Sequence, residues 1–280
     1  MQAILRHSAF RNLSVLIGGG ILLLLMVISL LAPLISDIDP QQIAPRFRIK
    51  PPSDEFLMGT DKLGRDVWTR VLHGGRISLI VAACVASIAI SIGLVIGLVS
   101  GYVRWLDSPI MRAMDGLMAI PGILLAIALV SLSGASLLTV IVAIMIPEIP
   151  RVARLVRGVV LSIREEPYVE AAIGLGTPTV KVLVAHILPN TIAPLIVQGT
   201  YICASAILTE SILSFLGVGL SSEIPTWGNI ISEGRDVFQR APWIILFPGA
   251  FLALTVLAVN MLGDGLRDTL DPRMKKRLGA

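Results

Sequence analysis

Charged side chains make up only 15% of this chain and aromatic ones 5%, while apolar residues reach 55%. Soluble domains carry about a quarter charged residues. The scarcity of charge therefore excludes an ordinary soluble domain and indicates a polytopic membrane protein, in line with a mean hydropathy of +0.84. Cysteine is almost missing. Cys84 and Cys203 both fall in apolar runs, where a free thiol behaves as a small hydrophobe. There is no CxxC or Cys/His cluster, and His7, His73 and His186 are too scattered to form a ligand set, so no metal is expected. No GxxxxGK loop followed by Ser or Thr, no HExxH and no GxSxG is present, which excludes ATP hydrolysis by this chain alone and leaves no catalytic residue to name. A net charge of +4 is too small to argue for nucleic acid.

What the chain has is apolar runs. About 20 residues are needed to cross the hydrocarbon core as a helix. Residues 13–34 qualify, preceded by Arg6 and Arg11. That run exceeds the 7–15 residues usual in a signal peptide, so it reads as a retained anchor. Further spans are expected at 77–100, 113–133, 137–149 (extending past Pro150 toward Arg157), 192–216 and 243–262. The expectation is an all-α protein with six transmembrane helices. Of its Lys and Arg residues, 14 fall on the side of the N-terminus and 9 on the other, where acids match them. The basic excess places both termini in the cytoplasm.

The outer segment 35–76 begins rich in Pro and charge, then offers Val67, Val71 and Leu72 at helical spacing beside Trp68, which predicts a short interfacial helix. Two regions follow. Residues 1–76 hold the anchor and this loop; residues 77–280 form a core with a cytosolic loop at about 157–190 and a cytosolic tail. Gly93, Gly97 and Gly101 make one small-residue stripe that lets another helix approach closely.

Acids at membrane depth are costly and count as functional candidates. Asp115 has Arg112 three residues before it, which predicts a local ion pair. Glu148, between Pro147 and Pro150, reads as interfacial, with Arg151 and Arg154 nearby. Glu210 lies deeper, beside Thr209 and Ser211, and is open to two roles: lining a pathway or satisfying helix–helix hydrogen bonds. These acids form no relay, and no internal repeat marks an ion-coupled carrier.

The remaining feature is YVEAAIGLGTPTVKVLVAHILPN at 168–190. Tyr168 to Leu175 allow about two helical turns. Gly176 permits a sharp turn. Thr177 and Pro178 can start a second helix, expected to stop before Pro189 because the residue preceding proline resists helical geometry. Ala171, Ala172, Ile173 and Val180 give the pair a small, apolar face, suited to docking another protein or to lying on the bilayer.

This stretch resembles the EAA loop of ATP-binding-cassette importer permeases: Glu170-Ala171-Ala172, then Gly176, then His186-x-Leu188-Pro189. His186, where that family usually has an aliphatic residue, is similar to the dipeptide/oligopeptide/nickel branch. So are GTDKLGRDVWTRVLHGGRISL at 59–79, TESILSFLGVG at 209–219, PTWGNII at 225–231 and NMLGDGLRDTLDPR at 260–273, so the likeness covers nearly the whole chain. The resemblance implies a type I importer fold and the shorter of two permease subunits. It implies as partners a second permease, two cytosolic ATP-binding subunits that use ATP and magnesium, an extracytoplasmic solute-binding protein and the bilayer of a bacterial inner membrane. It assigns Glu170, Ala171, Ala172, Gly176, His186 and Pro189 to ATPase coupling. It leaves open whether the solute is a peptide, nickel, glutathione or an opine.

Overall fold

The computed structural model describes residues 12–270. Arg6, His7 and Arg11, and the tail from Asp271 with its Asp271-Pro272-Arg273 motif end, lie outside the described residues. Within 12–270 the chain is helical, with a single isolated bridge between Thr60 and Asp66 and no strand.

Helix α1, Leu13–Leu30, is capped by the Asn12 side chain, which accepts from the Ser14 N–H at 2.9 Å. Pro33 interrupts the run, and a single further turn, α2, Ala32–Ile35, completes the first apolar segment. Helix α3 runs unbroken over Val67–Tyr102, its N-terminus capped by Asp66. The short interfacial helix expected near Val67 is therefore not a separate element. Val67, Val71 and Leu72 are buried and form the first turns of a 36-residue helix that passes through position 76.

The span expected at 113–133 is broken. Helices α4, Arg104–Met118, and α5, Gly122–Ser133, meet at 81°. Pro121 lacks an N–H and disfavours helical geometry at Ile120, so the chain turns there. Helix α6, Leu137–Ile163, carries Pro147 and Pro150 and stays continuous. Then come α7, Pro167–Gly174, and α8, Thr179–Val182. A π turn over Leu183–Ile187 leads directly into α9, Leu188–Phe215. Helix α10, Trp227–Gly234, starts with a reciprocal cap between Thr226 and Asn229. Helix α11, Trp243–Leu270, closes the described chain.

Four helical runs are long and apolar enough to cross a membrane: α1, α3, Thr179–Phe215 and α11. The bent α4–α5 pair makes a fifth. The count by length and composition is thus four or five among the described residues, against six expected. Helix α6, the remaining member of the six, carries Glu148, Arg151 and Arg154 in its middle and falls outside that set.

The glycine stripe meets a partner of the same period. Gly93, Gly97 and Gly101 of α3 face Val152, Val156 and Val160 of α6. A Cβ on Gly97 would lie 2.6 Å from Val156 Cβ and 2.7 Å from the Ala153 carbonyl oxygen, so only glycine allows this approach. Helix α1 packs along α11, and α9 packs between α3 and α11. Val81, Val85, Ala89, Ile144, Ile202 and Ile207 belong to the buried core that these helices share.

Candidate coupling surface

Helix α6 hands the chain to a short amphipathic lever. Pro167 occupies the first turn of α7, where its missing N–H has no cost, and Glu170 sits in the same turn, where the helix dipole favours a negative charge. Val169 turns inward and is fully buried, while Glu170 and Ala171 face out and Ala172 is half-buried. Helix α7 ends in a Schellman motif. The Thr177 N–H donates to the Ala172 carbonyl at 3.1 Å and the Gly176 N–H to the Ile173 carbonyl at 2.9 Å. That motif requires a left-handed residue, and Gly176 has φ +76°. The bend between α7 and α8 is therefore set by the backbone of one residue.

Beyond the bend, Val182 and Ile187 are buried beside Val169 in the core cluster and pin the element to the bundle. Tyr168, Ile173, Leu175, Val180 and Val184 remain exposed, Leu175 to 87%. An exposed apolar face rimmed by Glu170 and Lys181 suits either a protein partner or the bilayer surface. The expected face of Ala171, Ala172, Ile173 and Val180 is present on it. Tyr168, Leu175 and Val184 extend it, and no spacing signal distinguished them from core positions.

Pro189 does not end the second helix, as the sequence predicts it should. The π turn Leu183–Ile187 precedes it, with the Leu188 N–H donating to the Leu183 carbonyl one residue further back than in an α-helix. In an α-helical register the Pro189 ring would collide with the Ala185 carbonyl; the wider turn moves that group away and the helix continues. His186 lies within this turn and meets Tyr168 edge-on, with ring centroids 6.2 Å apart. The Asn190 side-chain N–H groups donate to the His186 carbonyl at 2.7 Å and to the Tyr168 hydroxyl at 3.3 Å. Tyr168 and Asn190 carry this contact, and neither stood out in the sequence.

The same end of α6 is clamped to its neighbours by three arginines. Arg164 donates to the Gly101 carbonyl at 3.2 Å, ending the stripe of close packing. Arg157 makes two hydrogen bonds to Asp107, the longer 2.7 Å. Arg154 pairs with Asp115. The local Arg112–Asp115 pair predicted from spacing is thus replaced by a partner on another helix, because α4 lies against α6 along this edge.

The other two acids are inside. Glu148, read as interfacial, is buried; Arg151 reaches it at 2.8 Å and the Ser205 hydroxyl of α9 donates to it at 3.1 Å. Glu210 is fully buried and accepts from Ser214 of its own helix at 2.8 Å, while its Oε2 and the Ser78 and Ser211 hydroxyls have no hydrogen-bond partner among the described residues. That single bond lies within α9 and joins no second helix, so it favours neither of the two roles. Among the described residues, no group of three or more His, Cys, Asp or Glu side chains could hold a metal ion.

At the opposite end of α3, a charge network that no sequence motif announced locks two loops together. Arg65 and Arg70 are both shared between Asp61 and Glu233, and both donate to the Ser222 carbonyl. Asp61, Arg65 and Arg70 lie within the 59–79 segment that resembles the importer branch, while Ser222 and Glu233 come from the far side of α9 in the chain.

Comparison with known proteins identifies the family. Residues 55–276 match the family described as binding-protein-dependent transport system inner membrane component. The chain is 57% identical over 269 residues to a probable peptide ABC transporter permease protein of Sinorhizobium fredii, covering 96% of this chain and 92% of that one. It is 42% identical over 266 residues to a dipeptide transport system permease protein of Alkalihalophilus pseudofirmus, covering 95% and 88%. A glutathione transport system permease protein of Salmonella typhimurium is 42% identical over 262 residues, covering 93% and 86%.

Proposed function

The chain belongs to the binding-protein-dependent transport system inner membrane components, and on that premise we propose that it is one of two dissimilar permease subunits of an ATP-driven importer of di- and oligopeptides. As a member of that family it is a multi-pass transmembrane permease of an ABC importer. It works with ATP-hydrolysing partners and a solute-binding protein. In the proposed assembly these are two cytosolic ATP-binding subunits and one extracytoplasmic binding protein, with a second permease completing the pathway. ATP and magnesium are used by the ATPase subunits, and this chain binds no cofactor of its own. Both termini are cytoplasmic, residues 35–66 form the extracytoplasmic loop, and six crossings include α6.

The observation that carries this reading is the lever at 167–190. Helix α7 presents Glu170 and an exposed apolar patch on a narrow alanine-containing turn, and Gly176 fixes its angle to α8. Seated in a groove of an ATPase subunit, the lever moves when the ATPase dimer closes. The movement passes to α6 and α9, and the pathway alternates between its two openings as a transition between discrete packings.

Peptides are favoured as the solute because relatives named for peptide and dipeptide transport cover nearly the whole chain. Glutathione is the second reading, favoured by the Salmonella relative. The test is uptake in a strain lacking this permease gene, with labelled dipeptide, tripeptide, glutathione, nickel and an opine. Loss of dipeptide or tripeptide uptake, restored by the gene, is expected. Loss confined to nickel or an opine overturns the peptide reading. Uptake that survives ATP depletion and stops with an ionophore would place the protein among ion-coupled carriers instead.

A further inference from the structure

We propose that the π turn Leu183–Ile187 is the hinge through which the lever drives α9, and that Tyr168, His186 and Asn190 form an internal strap that sets its angle. The proposal rests on the reading of 167–190 as the coupling element. It gives His186 and Pro189 a role inside this chain in place of a contact with the ATPase.

The π turn sits at the base of a helical run that continues from Thr179 to Phe215. A single wide turn inside a helix holds one extra residue, so converting it to α-geometry shifts register by roughly 1.5 Å of rise and 100° of rotation. Such turns recur at functional sites for this reason. Pro189 favours the wide form here, because its ring and missing N–H oppose an α-turn closing on Ala185. The hinge thus has two discrete geometries, and one proline biases it.

The strap joins the two sides of that hinge. Tyr168 is on α7, before the Gly176 bend; His186 is in the π turn; Asn190 is in the first turn of α9. Asn190 donates at 2.7 Å to the His186 carbonyl and at 3.3 Å to the Tyr168 hydroxyl, and the Tyr168 and His186 rings meet at 61°. Beneath them, Val169, Val182 and Ile187 are fully buried and provide non-directional adhesion. Apolar adhesion alone lets α7 slide. The strap adds the directional contacts that make α7 and the start of α9 move together.

The measurement uses the complete importer in proteoliposomes, comparing co-purification of the ATPase, ATP hydrolysis and solute delivered per ATP. The probe is a labelled dipeptide, or labelled glutathione should the wild type import that instead. Asn190→Ala and Pro189→Ala are expected to retain the ATPase and its hydrolysis while solute per ATP falls about fivefold or more. Tyr168→Phe, which keeps the ring contact and loses the hydroxyl, gives an intermediate loss, and Asn190→Gln restores at least half. Unchanged solute per ATP in Asn190→Ala and Pro189→Ala overturns the hinge. Loss of ATPase co-purification in Asn190→Ala also overturns it, since that outcome places Asn190 in the docking contact. Retention of normal coupling by Glu170→Lys is a different failure, and it strikes the coupling reading itself.

Discussion

The Arg70 guanidinium lies 2.6 Å from the Glu233 carboxylate across 163 residues of chain. Arg70 also reaches Asp61 at 2.7 Å, and its side chain is only 1% exposed. Arg65 pairs with the same two acids, so two cations and two anions close a neutral network between the start of α3 and helix α10. A buried network of this kind is costly to break from one side, because a single deletion leaves an uncompensated charge.

Arg70→Ala or Glu233→Ala should therefore destabilise the protein by about 3–5 kcal/mol. Thermal unfolding of the detergent-solubilised chain checks this. Lys62→Ala, which removes the exposed 3.8 Å pair with Asp236, should change stability by less than about 1 kcal/mol. Equal effects from the two substitutions would show that the network carries no special weight.

Gly97→Leu should disrupt the contact between α3 and α6, because a Cβ alone already falls 2.6 Å from Val156 Cβ. Overpacking costs roughly 1–3 kcal/mol, more where backbone is struck. Gly97→Ala should be milder, and Val156→Ala in the same chain should recover part of its loss. A double-mutant cycle on unfolding temperature measures that recovery.

Gly176→Val should leave membrane insertion unchanged and lower the unfolding temperature by only a few degrees while weakening ATPase coupling. Nothing lies within 4 Å of a Cβ at this position, so the penalty comes from φ +76° alone. It is about 1–2 kcal/mol for a residue with a side chain, with β-branching adding to it. Gly176→Asn, which tolerates the left-handed region, should couple better than Gly176→Val. The ratio of stimulated to basal ATP hydrolysis in the assembled complex is the measurement.

The sequence made some of these features legible because one element contains the whole signal. Gly93, Gly97 and Gly101 announce a close helix contact by spacing alone, and Gly176 announces a bend by identity alone. The partner of Asp115, Arg154, lies 39 residues away on α6, beyond any spacing argument. Glu233 likewise joins Asp61, Arg65 and Arg70 from 163 residues beyond Arg70, so no spacing announces the network. Pro121 and Pro189 show the other difficulty. Both remove an N–H, yet the chain breaks by 81° at the first and passes through a π turn at the second. Local chemistry gives the same warning at each, and the packing around each decides the outcome. Burial inside apolar runs was equally silent, since Tyr168, Leu175 and Val184 read like core residues and emerge on the surface.

The central claim is that α7 receives force from an ATPase through Glu170. Glu170→Lys reverses the charge of an exposed residue in the first turn of α7 and disturbs no buried contact. The most direct measurement is ATP hydrolysis stimulated by solute-loaded binding protein, in the complete importer reconstituted with this variant. The account predicts normal insertion of the permease, with stimulation and ATPase docking both impaired. Normal stimulation with normal docking would contradict it.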